Sequence, residues 1–273
     1  MIDTVSWDNG ALIVNTAFVD LFKANGIVTA EALYTIDSES VKSVVKERGT
    51  SRAFLQEGDN RIETYIKRYA PVSLKEKLKL KLFFKPPTAT AYDEWKALCL
   101  YHEIGLRTMS PMAVAEYRGQ TCNLTLGIRD YVRASELFAQ FGQGDCERKK
   151  TLIESIARYV GTMHKHNLAH QDLYLVHFFV KPDENDAVYL IDLQRTIIQE
   201  KLEFRWRVKD LGQLLFSAQD YLSDNEIKLF WDIYTSIAGE ELCGDKKLTA
   251  AVRAKAERIT ARDKRKALKK QRR

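Results

Sequence analysis

The apolar positions of this chain change period along its length. Between Val41 and Lys67 they follow a strand pattern: Val41 to Val45, Ala53 to Gln56 and Arg61 to Lys67 are separated by polar turns at Lys46 to Arg52 and at Gly58-Asp59-Asn60. This predicts a three-stranded antiparallel meander. Period two puts Lys67 on the side of Glu63 and Tyr65, opposite Ile62, Thr64 and Ile66. One face can then pack while the lysine points into a cleft; a solvated strand lysine is the simpler alternative. Tyr92 to Gly105 predicts a helix, with Trp95, Leu98 and Cys99 inward and Gly105 as the stop. Glu94 lies in its first turn, where an acid also suits the helix dipole. Met112 to Glu116 and Leu124 to Ile128 predict two further strands, and the earlier apolar stretches Ala11 to Val14 and Ala17 to Phe22 a strand or short helix.

Near residue 130 the pattern turns helical. Thr151 to Lys165 carries Leu152, Ile156, Val160 and Met163 on one stripe, and Lys209 to Tyr221, Asp224 to Ile237 and the chain end predict three more helices. The expected organisation is a β-rich lobe over 1–130, a helical lobe over 131–246 and a basic tail over 247–273. Between the first of these helices and the rest lies His170 to Arg195. Its two apolar runs, Phe178 to Val180 and Val188 to Ile191, flank a turn rich in Pro, Asp, Glu and Asn and predict a hairpin. Asp172 precedes the first run and Asp192 follows the second. Two acids on one rim suit phosphoryl transfer, one orienting a hydroxyl and the other holding a metal on nucleotide phosphates. The crowding of His164, His166, His170 and His177 admits a transition-metal site, although His164 and His166, two apart on a helix, point to different faces.

Composition adds three constraints. With 273 residues, 45% of them hydrophobic, the chain can bury a real core. No run of about 18 apolar residues occurs and the first residues lack a signal-peptide pattern, so a cytoplasmic location is expected. The four cysteines form no CxxC pair and are expected to be reduced thiols. The net charge of +6 is unevenly spread: from Lys247 to Arg273 twelve Lys and Arg face only Glu257 and Asp263, so the body is mildly acidic. That end is either a frayed, solvated helix or a contact for an anionic surface, the cytoplasmic leaflet or nucleic acid. Five lysines between Lys75 and Lys85, set among leucines and phenylalanines, offer a similar choice.

In chain order, a strand lysine, a helix glutamate, an H-x-D loop and a hairpin ending in Asp resemble the protein-kinase-like fold. His170-x-Asp172-x-Tyr174-x-x-His177-Phe178, Ile191-Asp192-Leu193-x-Arg195 and Arg205-Trp206-x-x-Lys209-Asp210-Leu211 narrow this to a resemblance to the lipopolysaccharide core kinase family of the Kdo/WaaP type, over roughly residues 40 to 235. The resemblance implies an α+β, bilobal fold and an ATP- and Mg²⁺-dependent kinase that phosphorylates heptose or Kdo of the lipopolysaccharide inner core. By the same likeness Asp172 is the catalytic base, Lys67 the phosphate-binding lysine paired with Glu94, and Asp192 a magnesium ligand. His177, which replaces the kinase asparagine, becomes a second ligand or a phosphate contact, and Asp210 a buried acid that holds the catalytic loop.

Three departures follow. Only Gly49 stands in the nucleotide loop, so Arg48, Gly49, Thr50 and Arg52 are expected to supply its contacts. Gln171 replaces the usual arginine, which argues against activation by loop phosphorylation. Leu193-Gln194-Arg195 replaces Phe-Gly, and Arg195 could neutralise phosphate charge. The expected acceptor is an anionic glycolipid, with peripheral contact of 247–273 at the inner face of the membrane; nucleic acid is not expected. A kinase of another small or protein substrate, or a catalytically silent kinase-like module, are the alternatives.

Overall fold

The computed structural model describes residues 2–45, 48–71, 90–142, 146–182 and 186–271. The lysine-rich stretch from Lys75 to Lys85 lies outside them. The chain forms two compact units, Met1–Arg129 and Asp130–Arg273.

The first unit is built on a seven-stranded antiparallel sheet. Its strands are β1 (Thr4–Trp7), β2 (Leu12–Asn15), β3 (Glu39–Val45), β4 (Arg48–Glu57), β5 (Asn60–Tyr69), β6 (Pro111–Tyr117) and β7 (Gln120–Leu126), in the order β1-β2-β6-β7-β5-β4-β3. The predicted meander is β3-β4-β5. The sequence pattern did not show that β1 and β2 extend the sheet beyond β6, because their four-residue runs are too short to display a period.

The alternation in β5 decides what each face carries. Ile66 joins Leu55, Leu124, Leu12 and Val14 in a core closed by α1 (Val19–Ala24) and α2 (Ala30–Tyr34), through Phe22 and Leu33. Each such side chain contributes about 1.5–3 kcal/mol by leaving water. Tyr69 lies on the other face and packs with Ala91, Trp95 and Val114, which brings α3 (Ala91–Glu103) against the sheet. The N-terminus of α3 is fixed twice: the Asp93 carboxylate accepts the Thr90 N–H at 2.7 Å, and Thr121 Oγ1 of β7 accepts the Ala91 N–H at 3.0 Å.

The second unit is mostly helical: α4 (Ala134–Gln140), α5 (Cys146–Lys165), α6 (Phe204–Ala218), α7 (Asp224–Ala238) and α8 (Lys246–Gln271). The stripe Leu152, Ile156, Val160 and Met163 of α5 is buried, and at Gly161 an added Cβ would come within 3.0 Å of Ile237, so α5 and α7 cross closely there. The expected hairpin forms as β10 (Phe178–Lys181) and β11 (Ala187–Leu190), joined by β8 (Val132–Arg133). A two-stranded pair, β9 (Leu168–Ala169) and β12 (Ile197–Ile198), closes the ends of the stretch between them. Helix α6 starts at Phe204, about a turn ahead of the predicted Lys209. The basic end of the chain is a docked helix, not a frayed one: Leu248, Val252, Ala256 and Ile259 of α8 are buried. No helix among the described residues is long and apolar enough to cross a membrane.

Candidate active site

In the first unit, Lys67 and Tyr69 share the β5 face that meets α3, and Asn123 is the register partner of Lys67 on β7. All three point donors at one buried carboxylate. Glu94 Oε1 accepts from Lys67 Nζ at 2.6 Å, and Oε2 accepts from Tyr69 Oη at 2.8 Å and Asn123 Nδ2 at 3.0 Å. Glu94 is only 3% exposed, so it is not a solvated residue of the first turn. Three donors hold this buried carboxylate in a fixed place. It therefore fixes the Lys67 ammonium, whose side chain is 18% exposed. Tyr69 and Asn123 escaped the sequence pattern, although period two from Lys67 already puts Tyr69 on its face.

The expected nucleotide-loop residues lie in strand β4. Thr50 is the cross-strand neighbour of Lys67, Gly49 of Arg68, Arg48 of Tyr69 and Arg52 of Tyr65. The seven polar residues from Lys46 to Arg52 suggested a turn, but pairing with both β3 and β5 extends the strand through 48–52. Arg52 is occupied by Glu39, at 2.9 Å.

In the second unit one face of α6 fixes the loop that carries Asp172. Asp210 is fully buried; its Oδ2 accepts the His170 N–H at 2.7 Å and its Oδ1 the Gln171 N–H at 2.8 Å. One turn on, Gln213 Oε1 accepts the Leu173 N–H at 3.2 Å, and Ser217 Oγ accepts the Leu175 N–H at 2.8 Å. Positions 210, 213 and 217 follow the i, i+3, i+7 spacing of one helix face. The loop's backbone is thus read off by a helix. Gln171 is held at φ +68°, a left-handed conformation uncommon for residues other than glycine.

Two histidines complete the arrangement. His170 is fully buried, donates Nε2–H to the Ile191 carbonyl at 2.9 Å and accepts the Asp172 N–H at Nδ1 at 3.3 Å. One imidazole so ties the backbone of Asp172 to the residue before Asp192. Asp192 itself is left-handed, φ +67° and ψ +53°. His177 Nδ1 lies 2.6 Å from the Asp172 carbonyl. A carbonyl can only accept, so Nδ1 carries a proton, and in the neutral imidazole Nε2 has the lone pair a metal ligand needs. Asp192 offers a hard oxygen and His177 Nε2 a nitrogen, the donor types a divalent cation could take here alongside water and phosphate.

The crowded histidines do not converge on a metal. His164 is fully buried and bonded to Tyr234 Oη at 2.9 Å and Asp210 at 3.4 Å, and burial outweighs Asp210 in holding its pKa below the ordinary value. His166 bonds the Thr162 carbonyl of its own helix. Among the described residues no group of three or more His, Cys, Asp or Glu could hold a metal ion.

Asp172 Oδ2 pairs with Arg195 Nη1 at 2.9 Å, both groups partly exposed. Such a pair is worth about 0.2–1 kcal/mol, so Arg195 can be exchanged to another anion at little cost. Gln171 donates Nε2–H to the Arg195 carbonyl at 2.8 Å and accepts from Lys209 Nζ at 3.0 Å. It therefore occupies the place of the usual arginine by bonding neutral and basic groups.

The model of the lipopolysaccharide kinase (Kdo/WaaP) family matches residues 36–234. The chain belongs to that family. The lipopolysaccharide core heptose(I) kinase WaaP of Pseudomonas aeruginosa is 31% identical over 172 residues, which span 57% of this chain and 63% of that protein. Its Escherichia coli K12 counterpart is 28% identical over 223 residues, 75% of this chain and 82% of that protein. The chain thus spans less than two thirds of the Pseudomonas relative and more of the other. A solved structure of WaaP in complex with acyl carrier protein superposes with a TM-score of 0.71 at 26% identity, covering 91% of this chain and 98% of that one. The resemblance read from the H-x-D, I-D-L-x-R and R-W-x-x-K-D-L motifs is therefore correct, and with it the α+β, kinase-like fold. The matched family is one of lipopolysaccharide kinases, and both relatives are named as heptose kinases.

Proposed function

We propose that the chain transfers the γ-phosphoryl group of ATP to a hydroxyl of heptose or Kdo in the lipopolysaccharide inner core. The observation that carries this reading is the anchoring of the H-x-D loop: α6 and His170 hold the backbone N–H groups of residues 170 to 173, while the Asp172 carboxylate is partly exposed and paired only with the exchangeable Arg195 among the bonds described. That is the requirement for a group that takes a proton from a positioned hydroxyl. Lys67, immobilised by Glu94, neutralises ATP phosphates without searching for its rotamer. Arg195, loosely held by Asp172, is available to the transferring phosphoryl group. Asp192 and the Nε2 of His177 would hold a Mg²⁺ ion, which would supply the remaining charge neutralisation. Thr50, across from Lys67, and Gly49 are the nucleotide contacts that β4 favours, with Arg48 next in register.

The acceptor is an anionic glycolipid, and the protein works as a peripheral protein at the inner face of the inner membrane. The exposed basic residues of α8 can attract that surface; of its large apolar residues Leu248, Val252 and Ile259 are already buried and only Leu268 is exposed. A solved relative was captured with an acyl carrier protein, which makes a carrier protein a second candidate partner.

The test is phosphorylation of purified core lipopolysaccharide by the full chain with ATP and Mg²⁺. Asp172→Ala is expected to remain folded and lose at least a hundredfold in turnover; near-normal turnover removes Asp172 from the role. Product without divalent cation would remove the metal.

A further inference from the structure

Asp172 stands among more positive charge than it can neutralise. Arg195 pairs with it directly, and Lys209, bonded to Gln171, lies 5.7 Å over the Trp206 ring. Two more cations come from α8. An added Cβ on Gly212, one turn after Lys209, would meet Lys255 Cγ at 2.4 Å and Cβ at 2.7 Å, so the Lys255 stem lies across the α6 backbone. Arg262, two turns beyond Lys255 on the same face of α8, pairs with Asp263 at 3.2 Å and also reaches the Tyr174 side chain of the catalytic loop. Residues 248, 252, 255, 259 and 262 form one stripe. Its apolar members Leu248, Val252 and Ile259 are buried, and Lys255 and Arg262 occupy the positions that approach Lys209 and Tyr174.

A solvated basic helix would keep such residues on its outer face. Here Lys255 lies half-buried against α6 and acts on Lys209, whereas Arg262 stays exposed beside Tyr174 and pairs with Asp263 at 3.2 Å. Burial and Arg195 hold the Lys209 ammonium below its usual range; Asp172 and Asp210 counteract this, and Lys255 depresses it again. Cations assembled on packed helices around a small number of acids create a positive potential that a bound anion relieves.

We propose that Lys209, Lys255 and Arg262 form an anion subsite for the acceptor, taking a carboxylate or phosphate carried close to the hydroxyl presented to Asp172. This rests on the kinase reading and adds the feature of the acceptor that the protein recognises. Helix α8 is then part of acceptor recognition and not only a contact for the membrane surface.

The double variant Lys255→Met, Arg262→Gln keeps the side-chain stems and removes the charges. It is compared with the full-length protein on a soluble inner-core oligosaccharide in three forms: native, carboxyl-reduced and phosphatase-treated. The variant is expected to keep the wild-type unfolding midpoint and the KM for ATP, to keep kcat within about twofold, and to raise KM for the native oligosaccharide about tenfold. Calorimetric affinity for that oligosaccharide without nucleotide falls by the same factor. The treatment that removes the recognised anion erases the difference between wild type and variant, which identifies carboxylate or phosphate as the group. Unchanged KM and affinity, or an equal loss on an oligosaccharide stripped of both groups, overturns the subsite. If wild-type protein binds the native oligosaccharide through these residues but transfers no phosphoryl group, the subsite stands and the kinase reading falls.

Discussion

Asp210 gives the sharpest prediction, because a single fully buried carboxylate holds two consecutive backbone N–H groups beside Asp172, at 2.7 and 2.8 Å. Hydrogen bonds to a charged acceptor are worth about 1.5–3 kcal/mol each. In Asp210→Asn one oxygen remains, and the new amide NH₂ faces the other N–H donor. The cost is one bond plus an unsatisfied buried donor, about 2–4 kcal/mol. Asp210→Ala loses both bonds and costs about 3–5 kcal/mol. Part of that cost appears locally, since Gln171 needs these bonds to stay left-handed. A local loss of about 3 kcal/mol multiplies the population of the opened loop by about 150. Hydrogen exchange followed by mass spectrometry, on peptides spanning the H-x-D loop, should therefore speed up by about two orders of magnitude in Asp210→Asn, while peptides from α3 and β5 keep their wild-type rates. Turnover should fall with the protection. If the Asn variant exchanges within about threefold of wild type over residues 168–175 and keeps its turnover, Asp210 does not hold this loop and the account of Asp172 fails with it.

Three further predictions are independent of that one. His164 and His170 are buried with pKa values lowered below 6.5, mainly by desolvation, so the unfolded chain binds more protons than the folded one below about pH 6.5. Stability should be flat above that pH and fall as the pH drops, by at most about 1.4 kcal/mol per pH unit for each histidine; denaturation midpoints that rise on acidification from pH 6.5 to 5.5 would refute this. Burial pushes the thiol of Cys122 up to about 12 and that of Cys99 up to about 11, whereas Cys146 and Cys243 are exposed. Iodoacetamide at pH 8 should alkylate the two exposed cysteines in the folded protein and Cys122 only after denaturation, as read by mass spectrometry. Gly212→Val forces apart α6 and α8, since even a Cβ overlaps Lys255 and stands 3.3 Å from the Val252 carbonyl. The substitution should cost about 1–3 kcal/mol and make α8, with its many basic residues, a fast trypsin target; wild-type resistance would show that the two helices do not need this contact.

Much of this protein was legible as a linear pattern. Period two along 61–67 set Lys67 apart from Ile66, the stripe of α5 stood out by its spacing, and the two acids bracketed a hairpin whose runs were strand-like. These are local properties: a side chain's direction follows from its position in a strand or helix, and no distant residue is needed to predict it. The motifs around His170, Asp192 and Asp210 went further and named the family.

What tertiary structure alone decided lies between residues far apart in the chain. Tyr69 and Asn123 complete the Glu94 site only because β5 and β7 pair in one register. Residues 48–52, expected as a nucleotide loop, became strand because β4 has a partner on both sides. The histidines separated into a core residue, a clasp and a candidate ligand according to which carbonyl or carboxylate each one met. Helix α8 looked solvated because its apolar stripe is thin; Gly212 lets it approach α6 closely enough for that stripe to suffice. A hydrogen bond or a close crossing depends on two positions at once, and the sequence shows each position without showing which other it will meet.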